Sequence, residues 1–333
     1  MPVPSFSDYV AALERLFLLY QETADSQMKK GRPFGYSQIG MILFFVIMTF
    51  RRINKFGTQC RWLENHPAML SVFGWKKFPH RTTVSRRYKA LYPVLQDFIR
   101  FLSIWAESLG EDFSGTELFE DKSLFRACGP VWHSKHQKTG EVPKGLRNLD
   151  KDAAWSKSEH HGWVYGYGLH LTVSASGFPA DADVEKASVS ESEIIDRKAD
   201  FIKARKPSSL TGDNSYCNLR RIRSWAGEGV ALVTPGKKLK EKRPKSAGYK
   251  KFVREPENMR LPGVRKIAVE PVFDLISKVL GLGNSQKQLP IKGIGNVRTF
   301  LTIGTLIVQF AMIINNVRGL PLRKISHIIA TFT

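Results

Sequence analysis

Three acidic residues sit where a carboxylate could do chemistry. Asp213 lies in Ser209-Leu210-Thr211-Gly212-Asp213-Asn214-Ser215-Tyr216, a short β-forming run that ends in a glycine and an acid. Behind it, Leu219 to Trp225 opens a helix. A carboxylate at the carboxyl end of a strand is held rigidly and faces a crevice. Asp121 closes a similar apolar approach upstream, and Glu270 sits in an apolar helix downstream. Each has a plain reading alone: an edge charge beside Lys122, an Asx turn, an exposed helix residue. Together, in a strongly basic chain, they suit a two-metal phosphoryl-transfer site. There one ion activates an attacking hydroxyl and the other stabilises the leaving oxygen. Mg²⁺ fits, with Mn²⁺ as a substitute, because it takes few protein carboxylates and keeps positions for water and phosphate. Asp121 would bridge the ions, Asp213 would ligate one and Glu270 the other. Arg265, before Glu270, and Lys278, two turns after it, would face substrate phosphates.

The rest of the chain must position these groups. Its 333 residues allow two or three domains, and an apolar share of 42% is ordinary for a chain with real cores. A surplus of 51 basic over 30 acidic residues, net +21, favours a polyanionic partner, most simply double-stranded DNA. Three scattered cysteines give no disulfide framework and fit a reducing cytoplasm. Ile39–Phe50 is too short to cross a bilayer, and Gln309, Asn315 and Asn316 interrupt Leu301–Val317, so both read as buried helices rather than membrane spans.

Residues 1–110 read as an all-helical, DNA-binding region. Asp8 is a candidate cap for a first helix carrying Val10, Leu13, Leu16, Phe17 and Tyr20, and Ser37 for the next. After Pro79, with Thr82 or Thr83 as N-cap, a short basic helix bears Arg81, Arg86, Arg87 and Lys89. It has the hydroxyls and guanidinium groups of a helix-turn-helix recognition element. A long helix from Leu91 to Leu109 would pack behind it.

From 111 to 333 the texture is mixed α/β. Strands are expected at 116–126, 163–174, 178–187, up to Asp213, and 229–235, with an amphipathic helix over 190–204 capped by Ser190 or Ser192. Cys128 to Glu159 reads as a basic loop. Gly236 to Arg265, including Lys237 and Lys238, carries eleven basic and three acidic residues and reads as a mobile arm or hairpin over a phosphate backbone. Two closing helices, Ile267–Leu280 and Val297–Val317, complete the chain. His133, His136 and Cys128, or His160 and His161, lack a four-ligand zinc spacing. Trp155, Trp163 and Tyr165 favour sheet packing over stacking on a flipped base.

Several of these stretches resemble one family. Glu120-Asp121-Lys122-Ser123 resembles the first-acid motif of bacterial insertion-sequence DDE transposases, and Trp163 to Ala187 is similar to their second and third strands. Gly212-Asp213-Asn214-Ser215-Tyr216 resembles their second-acid motif. Arg265-Lys266-Ile267-Ala268-Val269-Glu270-Pro271-Val272-Phe273 resembles the third-acid helix, and Leu289 to Asn316 the closing helices. Two departures stand out: no Tyr lies just before Arg265, and the Arg-to-Glu and Glu-to-Lys steps are each one residue longer than usual. The resemblance implies an RNase H-like mixed five-stranded sheet flanked by helices, a divalent metal at Asp121, Asp213 and Glu270, and cleavage and joining at terminal inverted repeats. It also implies a dimeric complex with transposon ends and target DNA. A nuclease of the same fold that does not join, or a DNA-binding protein that has lost catalysis, are the rival readings.

Overall fold

The computed structural model describes residues 4–23, 35–158, 162–235, 244–283 and 287–332. Helices α1 (Phe6–Thr23), α2 (Gln38–Phe50), α3 (Phe56–Glu64), α4 (Met69–Val72), α5 (Arg81–Ala90) and α6 (Tyr92–Trp105) come first. The cap of α1 is Ser5 rather than Asp8. Ser5 Oγ accepts from the Asp8 amide, and Asp8 Oδ2 accepts in return from the Ser5 amide at 2.8 Å, a capping box. Ser37 caps α2 as expected, accepting from the Gly40 amide at 3.1 Å. At α5 the cap is the His80 ring, which accepts from Thr82 N, because His80 and not a threonine holds the extended backbone before the helix.

The sheet contains β1 (Glu117–Arg126), β2 (Ala154–Ser158), β3 (Gly162–Ser174), β4 (Pro179–Lys186), β5 (Ser209–Thr211) and β6 (Ala231–Val233). All five expected strands are present, and β2 is an addition from the stretch expected to be a loop. That stretch also holds α7 (Ser134–Thr139) and the buried Trp132, Asp150 and Ala153, so it is packed. β4, β3 and β1 pair antiparallel, while β1, β5 and β6 run parallel, which is the mixed sheet of an RNase H-like fold. Helices α8 (Glu191–Ala204) and α9 (Leu219–Gly227) follow β4 and β5, and α8 is capped by Ser190. Residues 236–243, with Lys237 and Lys238, lie outside the described residues. From Pro244 on the expected arm is helical: α10 (Pro244–Val253), α11 (Pro256–Met259) and the start of α12 (Leu261–Leu280). Tyr249 anchors α10 on the sheet, its hydroxyl bonding Thr234 N at 2.8 Å and Leu232 O at 3.0 Å, so this basic run has an apolar anchor that composition concealed. α13 (Ile294–Val317) and α14 (Ser326–Phe332) end the chain.

Alternation along β1 divides the sheet into two faces. Leu118 joins Ile195, Leu210, Tyr216, Trp225 and Tyr249 under α8, α9 and α10. Phe119 and Phe125 join the other core, with α6, α12 and α13. α13 is long and apolar enough to cross a membrane, but 89% of its most apolar window is buried here. The outer edge of β4 is closed by side chains: Gln309 donates to Pro179 O at 2.8 Å, Gln96 to Ala182 O at 2.9 Å and Arg298 to Val184 O at 3.1 Å. These bonds block the pairing that a bare edge strand invites.

Candidate active site

Strand register brings the first two acids together. β1 and β5 pair Glu117 with Ser209, Leu118 with Leu210 and Phe119 with Thr211. Asp121 and Asp213 each lie two residues beyond the last pair, so by alternation both point to the face of Phe119 and Thr211, and the Asp213 charge acts on Asp121. Asp213 is still extended, and its Oδ1 accepts from Ser215 N at 2.7 Å, which starts the turn that ends β5. Gly212 is required beside it: a Cβ there would lie 2.6 Å from the Tyr216 ring, which closes the turn from the opposite face.

Asp121 keeps 19% of its side-chain surface exposed. Burial raises its carboxyl to about 6, against the pull of Arg265 and a bond from Lys122 N; the Asp213 charge raises it further. The Arg265 guanidinium, from α12, donates directly to Asp121 Oδ2. Helix α12 therefore lies over the carboxylate face. Glu270, five residues after Arg265, is turned about 140° around that helix and is exposed. No group of three or more Asp, Glu, His or Cys side chains close enough to hold a metal occurs among the described residues. The structure thus gathers Asp121, Asp213 and Arg265, and leaves Glu270 on the outer side of the helix that covers them. Lys278, thirteen residues after Arg265, is also exposed, about 140° around the helix on the other side.

On the α8 face, behind the pair, the strand is ionic. Lys122 donates to Ala187 O at 2.9 Å and Val189 O at 2.8 Å, with Glu191 at 3.8 Å; burial lowers its pKa against the pull of Glu191 and Asp213. Glu120 and Lys198, both fully buried, bond at 2.9 Å, and Asp181 lies 3.5 Å from the same ammonium. Thr172 donates to the second Glu120 oxygen. These groups fix β1 from beneath. Alternate polar positions in β1 and β4 were the signal that could have found them.

Of the residues expected to touch DNA, Arg81, Arg86 and Lys89 are exposed on α5. Arg87 is half-buried and donates to Tyr36 O at 3.2 Å. α3 and α5 pack together, but residues 65–80, including α4, separate them, so the connection is not a tight turn. Trp155 and Tyr165 pack as expected, with rings 5.5 Å apart, whereas Trp163 stands 64% exposed.

A face of paired acids on an RNase H-like sheet is the setting of metal-dependent phosphoryl transfer. Residues 116–284, just over half of the chain, match the model of the family described as "Transposase DDE domain", and the chain belongs to that family. Membership implies a phosphoryl-transfer enzyme that acts on DNA with divalent metal. The chain is also similar to a structure titled "Crystal structure of a pre-cleavage Mos1 transpososome", at 10% identity and a TM-score of 0.20, over 96% of this chain and 86% of that one. No curated protein matches.

Proposed function

We propose that the chain is an insertion-sequence transposase that hydrolyses a phosphodiester at the element's end and uses the freed 3′-hydroxyl to attack target DNA. The observation that carries this reading is the register of β1 and β5, which sets Asp121 and Asp213 on one face. The donor set fits a divalent cation: two carboxylate side chains on one face, that of Asp121 raised by burial and further by the charge of Asp213. Asp121 and Asp213 would hold it; Glu270, exposed on the outer side of α12, would complete the set only if that helix turned about its axis. When bound, Mg²⁺ or Mn²⁺ would activate the attacking oxygen and stabilise the leaving one. Arg265 compensates the charge of Asp121 and would turn to a DNA phosphate when the cation does so instead. Arg81, Arg86 and Lys89 would hold the inverted repeat, and two copies of the chain would pair the two ends.

The test is plasmid nicking and end joining by the purified chain in Mg²⁺. Asp121→Asn and Asp213→Asn should each lower nicking at least ~100-fold, with Glu270→Gln close behind. Nicking that survives both aspartate changes would sink the metal-site reading. Nicking without joining of a pre-cut end would favour a nuclease.

A further inference from the structure

Along its β5 side, β1 is paired with β5 only as far as Phe119, and it is next engaged at Arg126. There the Arg126 amide donates to Lys287 O at 3.1 Å, and the Leu289 amide to Arg126 O at 2.9 Å. Among the described residues, Glu120 to Phe125 therefore form an open length of edge, bounded by the Asp213 turn at one end and Lys287 at the other. Asp121 and Ser123 point to the same face of this opening. Lys287 Nζ donates to Ser123 Oγ at 3.2 Å, two residues and about 7 Å along the strand from Asp121. Its ammonium lies 5.7 Å from the Phe125 ring centre and 5.9 Å from that of Phe273, a cation–π setting that holds the head in place. Asp274, 79% exposed and 3.9 Å away, is its carboxylate neighbour, a weak pair in water. Only 19% of the Lys287 side chain is exposed, and burial draws its pKa down against the pull of Asp274.

An ammonium has three donors, and among the described residues one hydroxyl lies within hydrogen-bond distance. A half-buried cation about 7 Å along the strand from Asp121 is placed for an anion entering the opening between them. Lys278, by contrast, leaves α12 on the side away from Arg265 and Asp121. We propose that Lys287, rather than Lys278, contacts the phosphate of the DNA strand bound at Asp121 and Asp213. The proposal rests on the transposase reading and adds a residue to it.

Two measurements on the full chain decide it. In the first, log Kobs for a DNA duplex is followed against log salt. Lys287→Met keeps the aliphatic stem between Phe125 and Phe273 and should lower the slope by about 0.9. Lys287→Arg should restore it, and Lys278→Met should leave it unchanged. In the second, the wild-type chain is acetylated with and without DNA and read by mass spectrometry. DNA should lower modification of Lys287 several-fold and leave Lys278 as it was, and this needs no variant to fold. A wild-type slope in Lys287→Met, or equal acetylation of Lys287 in both states, overturns the proposal. If wild-type chain binds and nicks DNA while either of those results is seen, the proposal alone fails. If wild-type chain neither binds nor nicks, the transposase reading fails with it.

Discussion

His170 lies in the middle of β3, fully buried, with both ring nitrogens lacking a partner among the described residues. Burial lowers its pKa well below 6.5, and Lys198, Lys122 and Arg197 push the same way. Asp183 stands opposite it on β4. The folded state therefore keeps this ring neutral while the unfolded chain protonates it as pH falls through about 6.5. The unfolded state then binds more protons, so stability is lost on the acid side, by up to about 1.4 kcal/mol per pH unit for this one group. Urea unfolding at about pH 7.5 and about pH 5.5, on either side of that value, measures the loss, and His170→Gln should shrink it. An unchanged difference in the variant would assign the acid sensitivity elsewhere. Asp213 could be read from sequence because turn chemistry and a β-forming approach mark a strand end, whereas Asp121, expected at the end of its strand, lies in the middle of β1. The partner of Arg265 could not, since it depends on how α12 crosses β1. Lys287 had no local signal: it follows a polar run with no periodicity, and only its bond to Ser123 gives it a place.

Among the elements, α5 is where the expected DNA-binding residues divide. Val84 and Tyr88 face inward, and Arg87 is spent on the Tyr36 carbonyl, while Arg81 and Arg86 are exposed. Changing Arg81 and Arg86 together to Ala should lower the salt slope of DNA binding by about 2, since each phosphate left without its guanidinium keeps its counterion. Arg87→Ala should instead reduce thermal stability with little effect on the slope. The reverse pattern would mean that α5 is not the DNA-facing helix. Elements with strong patterning were legible in advance: α8 with its serine cap, and the long β1 and β3. α10 was not, because eleven basic residues over 236–265 mask the single buried ring, Tyr249, that docks it. Composition reports the solvent side of such a helix and says nothing of its anchor.

At the scale of the molecule, the helices before β1 share an apolar core with the elements that follow. α2 packs on α12, α13 and α14, α1 and α5 on α6, and α6 on both β4 and α13. The apolar residues of all these elements form one continuous cluster, from Tyr9 through Phe45 and Leu102 to Phe119, Val272 and Ile307. Periodicity marks each helix but not its neighbours, so the change of texture near Gly110 suggests a boundary that packing does not observe. The shared core fixes the exposed basic side of α5 relative to the Asp121 face, because α13 touches α5, α6, α12 and β4. It also ties their stabilities together, since exposing α13 by removing α2 or α6 would uncover apolar surface worth about 25 cal/mol per Å². Unfolding in urea should therefore be a single transition, with coincident midpoints for tryptophan fluorescence and far-ultraviolet circular dichroism. Hydrogen exchange reads the same coupling: amides in α2 should share the slow, global opening of those in β3. A chain whose α2 amides exchange early while β3 stays protected would show instead that the helical part moves as a separate body, and the fixed geometry between α5 and the carboxylate pair would go with it.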